Sequence, residues 1–319
     1  MTRRIVALAG GVGGAKMAQG LMHAYDDVEL TVVVNTADDF KLYGLRISPD
    51  LDTVMYTLGG IANPATGWGI EGDTRHTLDG IGAYGVENWF LLGDRDFATH
   101  ILRTMWLDEG ATLTEVTRRL SDGLGIAARI VPMTDEPVAT MVQTPAGELA
   151  FQDYFVRRHQ EDDVLGVRFA GIEEAHATRD ALDAIESADL IVFAPSNPIV
   201  SIGPLLALTE LKAAIEDSHA PKVAISPIVA GKALKGPADK MLTTLGHEPS
   251  AVGVARILQS VIDGFVIDAR DGDAISDIEA LGIPARAMQT VMGDRDDRAR
   301  LGREIIDFGW SLRTDAILA

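Results

Sequence analysis

Four carboxylates follow an apolar run that has the pattern of a β-strand. Asp38 and Asp39 come shortly after this run, and Asp50 and Asp52 stand in the segment 44–53. In an open α/β sheet the loops that follow the strands bind ligands, so we expect these acids to line a site. Their partner would be a divalent cation, the phosphates that such a cation carries, or a proton awaiting transfer.

A helix start is the alternative explanation for part of this cluster. Ser48 suits the N-cap position, Pro49 the first helical position and Asp50 the first turn. A helix start explains Asp50 but not the other acids, because neighbouring carboxylates repel one another unless a cation or solvent separates them. The residues alone leave both explanations open: a ligand site, or a capped and solvated helix start.

The first strand leads into a glycine-rich turn, in which Gly10, Gly11, Gly13 and Gly14 precede Lys16. Glycines at this place allow backbone N–H groups and a helix N-terminus to approach an anion closely. The turn is not a dinucleotide fingerprint, which requires glycine where Lys16 stands, nor a P-loop, which requires Gly-Lys-Ser/Thr. We predict that it binds phosphate, and a tight turn without a ligand is the alternative.

Small polar residues follow three other predicted strands. Their side chains and the free backbone amides around them suit the phosphates or the base edge of a nucleotide. Loops of this kind that lie side by side would form one cleft, although their prolines and glycines could also simply break helices. The candidate binding residues are Asn35, Thr36, Ser196, Asn197, Pro198, Ser201 and Ser226.

A further helix start carries Asp94, Arg95 and Asp96. The two acids complement the helix dipole whatever else they do. The planar guanidinium of Arg95 is suited to a bidentate contact with a phosphate or a carboxylate. His100, one turn further on, fits a packed or surface histidine better than a metal ligand, and no spacing elsewhere resembles a zinc site.

The composition excludes several classes of protein. Acids outnumber bases 47 to 28 in 319 residues and give a net charge of −19, whereas a nucleic-acid surface needs an excess of Lys and Arg. The chain has no cysteine, which excludes disulfides and thiolate chemistry. No apolar run suits a membrane span or a signal peptide, so we expect a soluble, cytoplasmic protein that binds neither nucleic acid nor membranes.

Short apolar runs alternate with helical patterns, which is typical of an α/β fold with a Rossmann-like, doubly wound and mostly parallel sheet. A catalytic core formed by residues 1–109 and 176–319 would carry a smaller α+β insertion at 110–175. We place in this insertion the strands 129–132, 138–143 and 148–155, the last two joined as a hairpin. The core strands are predicted at 5–9, 30–34, 190–194, 223–226 and 265–268, and helices at 14–24, 53–58, 94–108, 113–120, 178–187, 205–215, 252–262 and 294–308.

Taken together, the motifs resemble the 2-phospho-L-lactate transferase family, whose members build the deazaflavin coenzyme F-420 in methanogens and some bacteria. The resemblance covers nearly the whole chain, and it is specific because several long motifs occur in the same order. It rests on the segments 10–14, 33–36, 48–53, 67–69, 92–100, 195–198, 201–204 and 226–228. One departure is Leu91, which stands where relatives often carry Lys or Glu, so a charged contact to the acceptor is not inferred there.

The resemblance implies transfer of 2-phospho-L-lactate or enolpyruvyl phosphate from a guanosine diphosphate-linked donor to the ribityl hydroxyl of the deazaflavin FO, with release of GMP. It also implies dependence on Mg²⁺. Asp52, supported by Asp38, Asp39 or Asp50, would hold the metal, and one free carboxylate would accept the hydroxyl proton. Which acid is ligand and which is base stays open. The candidate catalytic residues are Asp50, Asp52, Asp94 and Arg95.

Two further expectations complete this interpretation. A homodimer is the default assembly for such an enzyme. The alternative function is a non-catalytic nucleotide-sugar-binding regulatory protein of the same fold, which resembles this chain less in segments 48–53 and 92–96. The sequence does not say whether the donor carries lactate, enolpyruvate or glycerate.

Overall fold

The computed structural model describes residues 2–318, with their side chains up to residue 313. The strands in this range are β1 (Arg3–Ala9), β2 (Val28–Val34), β3 (Phe40–Leu42), β4 (Leu45–Ile47), β5 (Arg129–Pro132), β6 (Ala139–Thr144), β7 (Gly147–Ala150), β8 (Gly166–Ala170), β9 (Leu190–Phe193), β10 (Lys222–Ile225), β11 (Ile228–Val229), β12 (Lys232–Ala233), β13 (Gly264–Asp268) and β14 (Ala285–Met288). The α-helices are α1 (Gly11–Met22), α2 (Pro49–Leu58), α3 (His76–Ala83), α4 (Asp96–Asp108), α5 (Leu113–Gly123), α6 (Arg179–Glu186), α7 (Gly203–Ala207), α8 (Thr209–Asp217), α9 (Ala238–Thr244), α10 (Ala251–Leu258), α11 (Ile275–Glu279) and α12 (Arg295–Leu318). A π-helix spans Asp153–Arg157 and a 3-10 helix spans Ala269–Ala274.

Within residues 2–318, seven strands form a parallel sheet in the order β14-β13-β10-β9-β1-β2-β5. The chain builds outward from β1 through β2 and β5, then returns to the centre and builds in the other direction from β9 to β14. The order therefore reverses between β1 and β9. Such a switch point opens a crevice between the loops that leave the two strands, and here these are the glycine-rich turn and the segment 195–202.

Helices cover both faces of this sheet, and alternate residues of β1 contribute to two separate cores. Val6 and Leu8 belong to one core, together with residues of α6, α7, α8, α10 and α11. Ile5 and Ala7 belong to the other, together with residues of α1, α2 and α12. Burial on both faces explains why these strands are continuous apolar runs. The predicted doubly wound α/β fold is confirmed.

A small antiparallel sheet, β7-β6-β8, lies outside the central sheet. The predicted hairpin is confirmed, since β6 pairs with β7 and Thr144 stands opposite Gly147. The strand placed at 148–155 ends early, at Ala150. Phe151 and Tyr154 are spaced as on one side of a helix and are buried in the same cluster, which favours the π-helix that follows over an extended strand.

The strand 129–132, which we assigned to the insertion, is not part of this small sheet. It is β5, which pairs in parallel with β2 at the edge of the central sheet. Ile130 and Val131 are buried on opposite faces and extend the two main cores, which explains why the strand lies there. The division into a core and an insertion at 110–175 stays a prediction.

No helix in the part of the chain that the structure describes has the length and apolar character needed to cross a membrane.

Candidate active site

Asp50 joins the loops that meet at the switch point. Its Oδ1 accepts a hydrogen bond from the Gly11 N–H at 2.8 Å, and its Oδ2 accepts one from Asn35 Nδ2 at 3.0 Å. The same Asn35 amide group donates to the carbonyl oxygen of Val200 at 3.3 Å. The loops after β1, β2 and β9 therefore meet beside the N-terminus of α2. Ser48 makes no capping hydrogen bond with its side chain, so a simple helix start does not account for this arrangement.

The glycine-rich turn packs directly against the loop that follows β9. A Cβ on Gly13 would lie 2.3 Å from the carbonyl oxygen of Pro195, and a Cβ on Gly10 would lie 2.8 Å from Cβ of Ser201. The Ser196 hydroxyl fixes the two loops together by donating to the Gly10 carbonyl oxygen at 2.8 Å. Gly10 has no side chain to cap α1 and Asp50 accepts only the Gly11 N–H, so the later N–H groups of the first turn remain available to an anion.

Asp38 and Asp39 each have one buried carboxylate oxygen without a hydrogen-bond partner among the described residues. The Ser48 hydroxyl donates to the other oxygen of Asp39 at 2.6 Å. Burial raises the pKa of both carboxyls well above the usual value, and the charge of Asp50 raises the pKa of Asp38 further. Burial also raises the pKa of Asp50 to about 6. Such carboxylates are stabilised by binding a cation or a proton.

Asp52, which the sequence analysis expected at the metal, lies in a buried ion pair. Nη1 of Arg103 donates to its Oδ2 at 3.1 Å, and Nη2 contacts its Oδ1. Asp52 is 5% exposed and Arg103 only 1%. With Arg103 in this position, Asp52 offers a cation no oxygen that is free of a guanidinium contact.

A chain of buried polar groups continues from this ion pair along α4. His100 lies between two acids, with Nδ1 3.7 Å from Asp52 Oδ2 and Nε2 3.3 Å from Asp96 Oδ1. Tyr56, on α2, donates to the same oxygen of Asp96 at 2.6 Å. These contacts hold α4 against α2 behind the acidic loops. They also bury His100, so of the packed and surface positions that the sequence left open, the packed one is observed.

Asp94 and Arg95 contact the segment 71–77. The Asp94 carboxylate accepts hydrogen bonds from Thr74 Oγ1 at 2.6 Å and from two backbone N–H groups at the start of α3, and these bonds hold its pKa below the usual value. Asp73 in turn accepts from the N–H groups that begin α4. The exposed Arg95 donates to the Glu71 carbonyl oxygen at 3.2 Å. Asp94 and Arg95, two of the four predicted catalytic residues, therefore take part in reciprocal capping of α3 and α4.

The other predicted binding residues shape the rim of the crevice. Asn197 Oδ1 accepts the N–H of Ile199 at 2.9 Å and Ser226 forms a similar local turn, so both fix the course of their loops. Pro198, which directly follows Asn197, is buried. Thr36 has a buried hydroxyl without a hydrogen-bond partner among the described residues. The Lys16 side chain donates a hydrogen bond to the carbonyl oxygen of Met292, in the segment that precedes α12.

The fit of a metal ion depends on the acids near the glycine-rich turn. Among the described residues, no group of three or more His, Asp or Glu side chains is arranged to hold a metal ion alone. Mg²⁺ commonly takes one or two carboxylates and completes its shell with phosphates and waters. The free oxygens of Asp38 and Asp39 fit that chemistry, and Asp52 does not.

Two residues that organise the site escaped the sequence analysis. Arg103 pairs with Asp52, and Asp73 caps α4. A signal for Arg103 was present, because Asp96, His100 and Arg103 recur every three or four residues and so share one face of a helix. Asp73 stands in a loop with no periodicity, and only the folded chain shows what it contacts.

Comparisons with known proteins show which family the chain is similar to. A family model described as 2-phospho-L-lactate transferase CofD matches residues 5–308. A phosphoenolpyruvate transferase from Streptomyces coelicolor is 44% identical over 97% of this chain and 99% of its own. A 2-phospho-L-lactate transferase from Methanosarcina acetivorans is 40% identical over 95% of this chain and 98% of its own. The crystal structure of protein BH3568 from Bacillus halodurans, at 15% identity, has the same fold, with a TM-score of 0.67 over 96% of this chain and 100% of that protein.

Proposed function

This chain belongs to the 2-phospho-L-lactate transferase CofD family, and we propose that it transfers a phospho-three-carbon-acid group from a guanosine diphosphate-linked donor to the ribityl hydroxyl of FO, releasing GMP. The observation that carries this proposal is the pair of unpartnered carboxylate oxygens on Asp38 and Asp39, next to a glycine-rich turn at the switch point of the sheet. A turn that accepts phosphate and acids that accept a cation or a proton are the two components that phosphoryl transfer requires.

We place the donor and the acceptor on either side of these acids. The guanosine phosphates would bind against residues 11–14 and 196–201, where backbone amides and small hydroxyls meet. The deazaflavin ring would bind near β3, where Phe40, Trp89 and Phe90 form a half-buried aromatic group with ring centroids 4.9–6.2 Å apart. Phe40 directly follows Asp39, so a deazaflavin ring stacked there would have its ribityl chain close to the acids.

In the proposed step the FO hydroxyl attacks the phosphorus that bears the three-carbon acid. A P–O bond to FO forms, the P–O bond to GMP breaks, and GMP leaves with the bridging oxygen and its electron pair. The hydroxyl proton passes to a carboxylate. We assign this role to Asp50, because its pKa of about 6 lies in the range where a carboxyl exchanges protons near neutral pH.

Asp38 and Asp39 are the residues that would hold Mg²⁺. When bound, this ion neutralises negative charge on the diphosphate oxygens. Holding it also removes the cost of the two buried carboxylate oxygens, one on each acid, that have no hydrogen-bond partner among the described residues. Asp52 and Arg103 would then support this site from behind and would not touch the metal.

The names of the relatives support an enolpyruvyl group on the donor. Relatives from Streptomyces and Kitasatospora at 41–44% identity are named phosphoenolpyruvate transferases, and those from Methanosarcina at 39–40% are named 2-phospho-L-lactate transferases. We therefore propose enolpyruvyl phosphate as the preferred group and 2-phospho-L-lactate as the alternative.

Mass spectrometry of the products tests both the proposed transfer to FO and the identity of the transferred group. The purified protein is incubated with FO, Mg²⁺ and each guanosine diphosphate-linked donor in turn, and we expect an FO phosphodiester together with GMP. The enolpyruvyl product is lighter than the lactyl product by the mass of two hydrogen atoms, which distinguishes the two. Absence of product from every donor, together with unchanged FO fluorescence on adding the protein, would contradict the transferase assignment and favour a binding protein of the same fold.

A further inference from the structure

Four basic side chains gather beside the glycine-rich turn, although the chain as a whole has a net charge of −19. Lys16 is in α1, Lys235 lies between β12 and α9, and Arg295 and Arg298 are in the first turn of α12. They come from three distant parts of the sequence. Only the fold brings them together, at the edge of the sheet where β1 and β14 end.

The contacts of Lys235 place its ammonium group at the start of α1. Its Nζ donates to the carbonyl oxygen of Thr66. A Cβ on Gly67 would lie 2.6 Å from Val12 Cγ1 and 3.0 Å from Lys235 Nζ. Gly67 has a φ of +81° and leaves room for both. The ammonium of Lys235 therefore lies next to the first turn of the helix that follows the glycines.

Lys16 and Arg298 approach the same region from the other side. Lys16 Nζ donates to the Met292 carbonyl oxygen at 3.0 Å, and Arg298 Nη1 donates to Gln19 Oε1 at 2.6 Å. Burial lowers the pKa of Lys16, and the positive charges of Arg298 and Lys235 lower it further. Burial likewise lowers the pKa of Arg298, followed by the charge of Arg295. The cations are thus close enough to repel one another.

No carboxylate in the described part of the chain forms an ion pair within 4.0 Å with any of these four side chains, and Asp294 acts on Arg298 only through its charge. Like charges held together without a counter-ion destabilise a fold unless an anion binds between them. Lys16 and Arg298 are half-buried, and Lys235 and Arg295 are exposed, so a ligand can reach the group.

We propose that Lys16, Lys235 and Arg298 form the subsite for the phosphate that leaves with the nucleotide. This inference rests on the proposed function and names the residues that stabilise its leaving group. When the P–O bond to GMP breaks, the departing phosphate gains a full negative charge. Cations that are already in place stabilise this charge without having to reorganise.

The test measures how binding depends on the number of phosphates. Calorimetry compares guanosine, GMP, GDP and inorganic pyrophosphate on the wild type and on Lys235→Gln and Arg298→Gln. We expect each variant to bind GMP, GDP and pyrophosphate roughly 10-fold to 100-fold more weakly, as for the loss of a charge-assisted hydrogen bond, and guanosine with unchanged affinity. Lys232→Gln and Arg303→Gln, which each remove one exposed charge nearby in sequence, should bind all four ligands like the wild type.

The outcomes separate this inference from the proposed function. Unchanged GDP affinity in both variants, or an equal loss for guanosine and GDP, would overturn the phosphate subsite. A wild type that binds pyrophosphate in a Lys235-dependent manner but shows no preference for guanosine nucleotides would keep the subsite and overturn the proposed donor. Lys235 is exposed, so Lys235→Gln gives a folded variant even if Arg298→Gln loosens the packing of α12 on α1.

Discussion

Asp39 and Asp52 both lie within the electrostatic reach of Arg103, yet their surroundings differ. Asp52 has its charge balanced by a bidentate guanidinium, whereas Asp39 has one hydroxyl donor and one oxygen without a partner. Asp38 has a free oxygen as well and is repelled by Asp50. Residues of the same type, close together in the sequence, are therefore suited to different roles by what surrounds them.

Replacing Asp38 with Asn should stabilise the protein without ligands, but only at neutral and alkaline pH. The pKa of Asp38 is raised in the folded state, so between its unfolded and folded values the unfolded chain is ionised while the folded one keeps its proton. Wild-type stability falls as the pH rises through that window, and the Asn variant escapes this loss. We expect a gain on the order of 1–3 kcal/mol at pH ~8 and almost none at pH ~4.

Denaturant unfolding across this pH range measures the effect, with Mg²⁺ absent. A stability difference that is independent of pH would show that Asp38 does not carry the expected buried charge. Adding Mg²⁺ should stabilise the wild type more than Asp38→Asn if the carboxylate binds the ion.

Removing Arg103 should destabilise the fold far more than removing an exposed arginine. Arg103→Met leaves Asp52 buried without its partner, which costs about 3–5 kcal/mol for pairs of this kind. The double variant Arg103→Met with Asp52→Leu should recover much of that loss, because no unpaired charge remains. Chemical denaturation of the three proteins tests this, with Arg179→Met as an exposed control; full additivity of the two substitutions would argue against a coupled pair.

At the scale of elements, the position of the site depends on how closely α1 packs against α12. The helices cross at two glycines: a Cβ on Gly20 would lie 2.3 Å from the Arg298 carbonyl oxygen, and a Cβ on Gly302 would lie 2.4 Å from that of Gly20. Any side chain at this crossing separates the helices. It would also move Arg298, whose carbonyl oxygen contacts Gly20, relative to Lys16, which lies one turn before Gly20 in α1.

Gly20→Ala should therefore lower the stability even though alanine favours helices. The gain in helix propensity is about 1 kcal/mol, and overpacking against a backbone carbonyl costs about 1–3 kcal/mol, so we expect a net loss. Gly80→Ala, in α3 where a Cβ meets nothing within 4 Å, is the matched control and should be stabilising. Thermal unfolding of the two variants gives the comparison; equal shifts in Tm would mean that the helices can move apart freely.

At the scale of the whole molecule, the group formed by Lys16, Lys235, Arg295 and Arg298 lies beside the same glycine-rich turn that Asp50 contacts from the acidic loops. The ligands we propose bridge these regions, since a diphosphate needs the cations and its metal needs the carboxylates. The crevice at the switch point lies between the loops of β1 and β9, where both regions meet. Neither ligand alone satisfies both sets of charges.

GDP and Mg²⁺ should accordingly stabilise the protein more together than the sum of their separate effects. A ligand present at about 100 times its Kd adds roughly 2.7 kcal/mol, which for a chain of this size raises Tm by several degrees. Differential scanning fluorimetry with GDP, Mg²⁺, both, and both with excess chelator measures the coupling. If the Tm rise with GDP is the same with and without the chelator, GDP binds without the metal and the proposed coupling is wrong.

The fold class, most core strands and helices, and the loops that carry the candidate binding residues could be predicted from the sequence. These properties follow from local patterns: apolar runs buried on both faces, helical periodicity, and glycines between a strand and a helix. The family resemblance that the sequence indicated was confirmed by the comparisons. The hairpin at 139–150 was also predictable, because its turn is local.

The surroundings that distinguish one acid from another depend on the tertiary structure. Asp52 is paired with Arg103 across 51 positions, and Lys16 meets Met292 across 276, so no local pattern could reveal either partner. The strand 129–132 lies in the central sheet for the same reason, since a strand's neighbour is chosen by the core that it completes. Charges act through space, and the fold sets the distances between residues that the sequence keeps far apart.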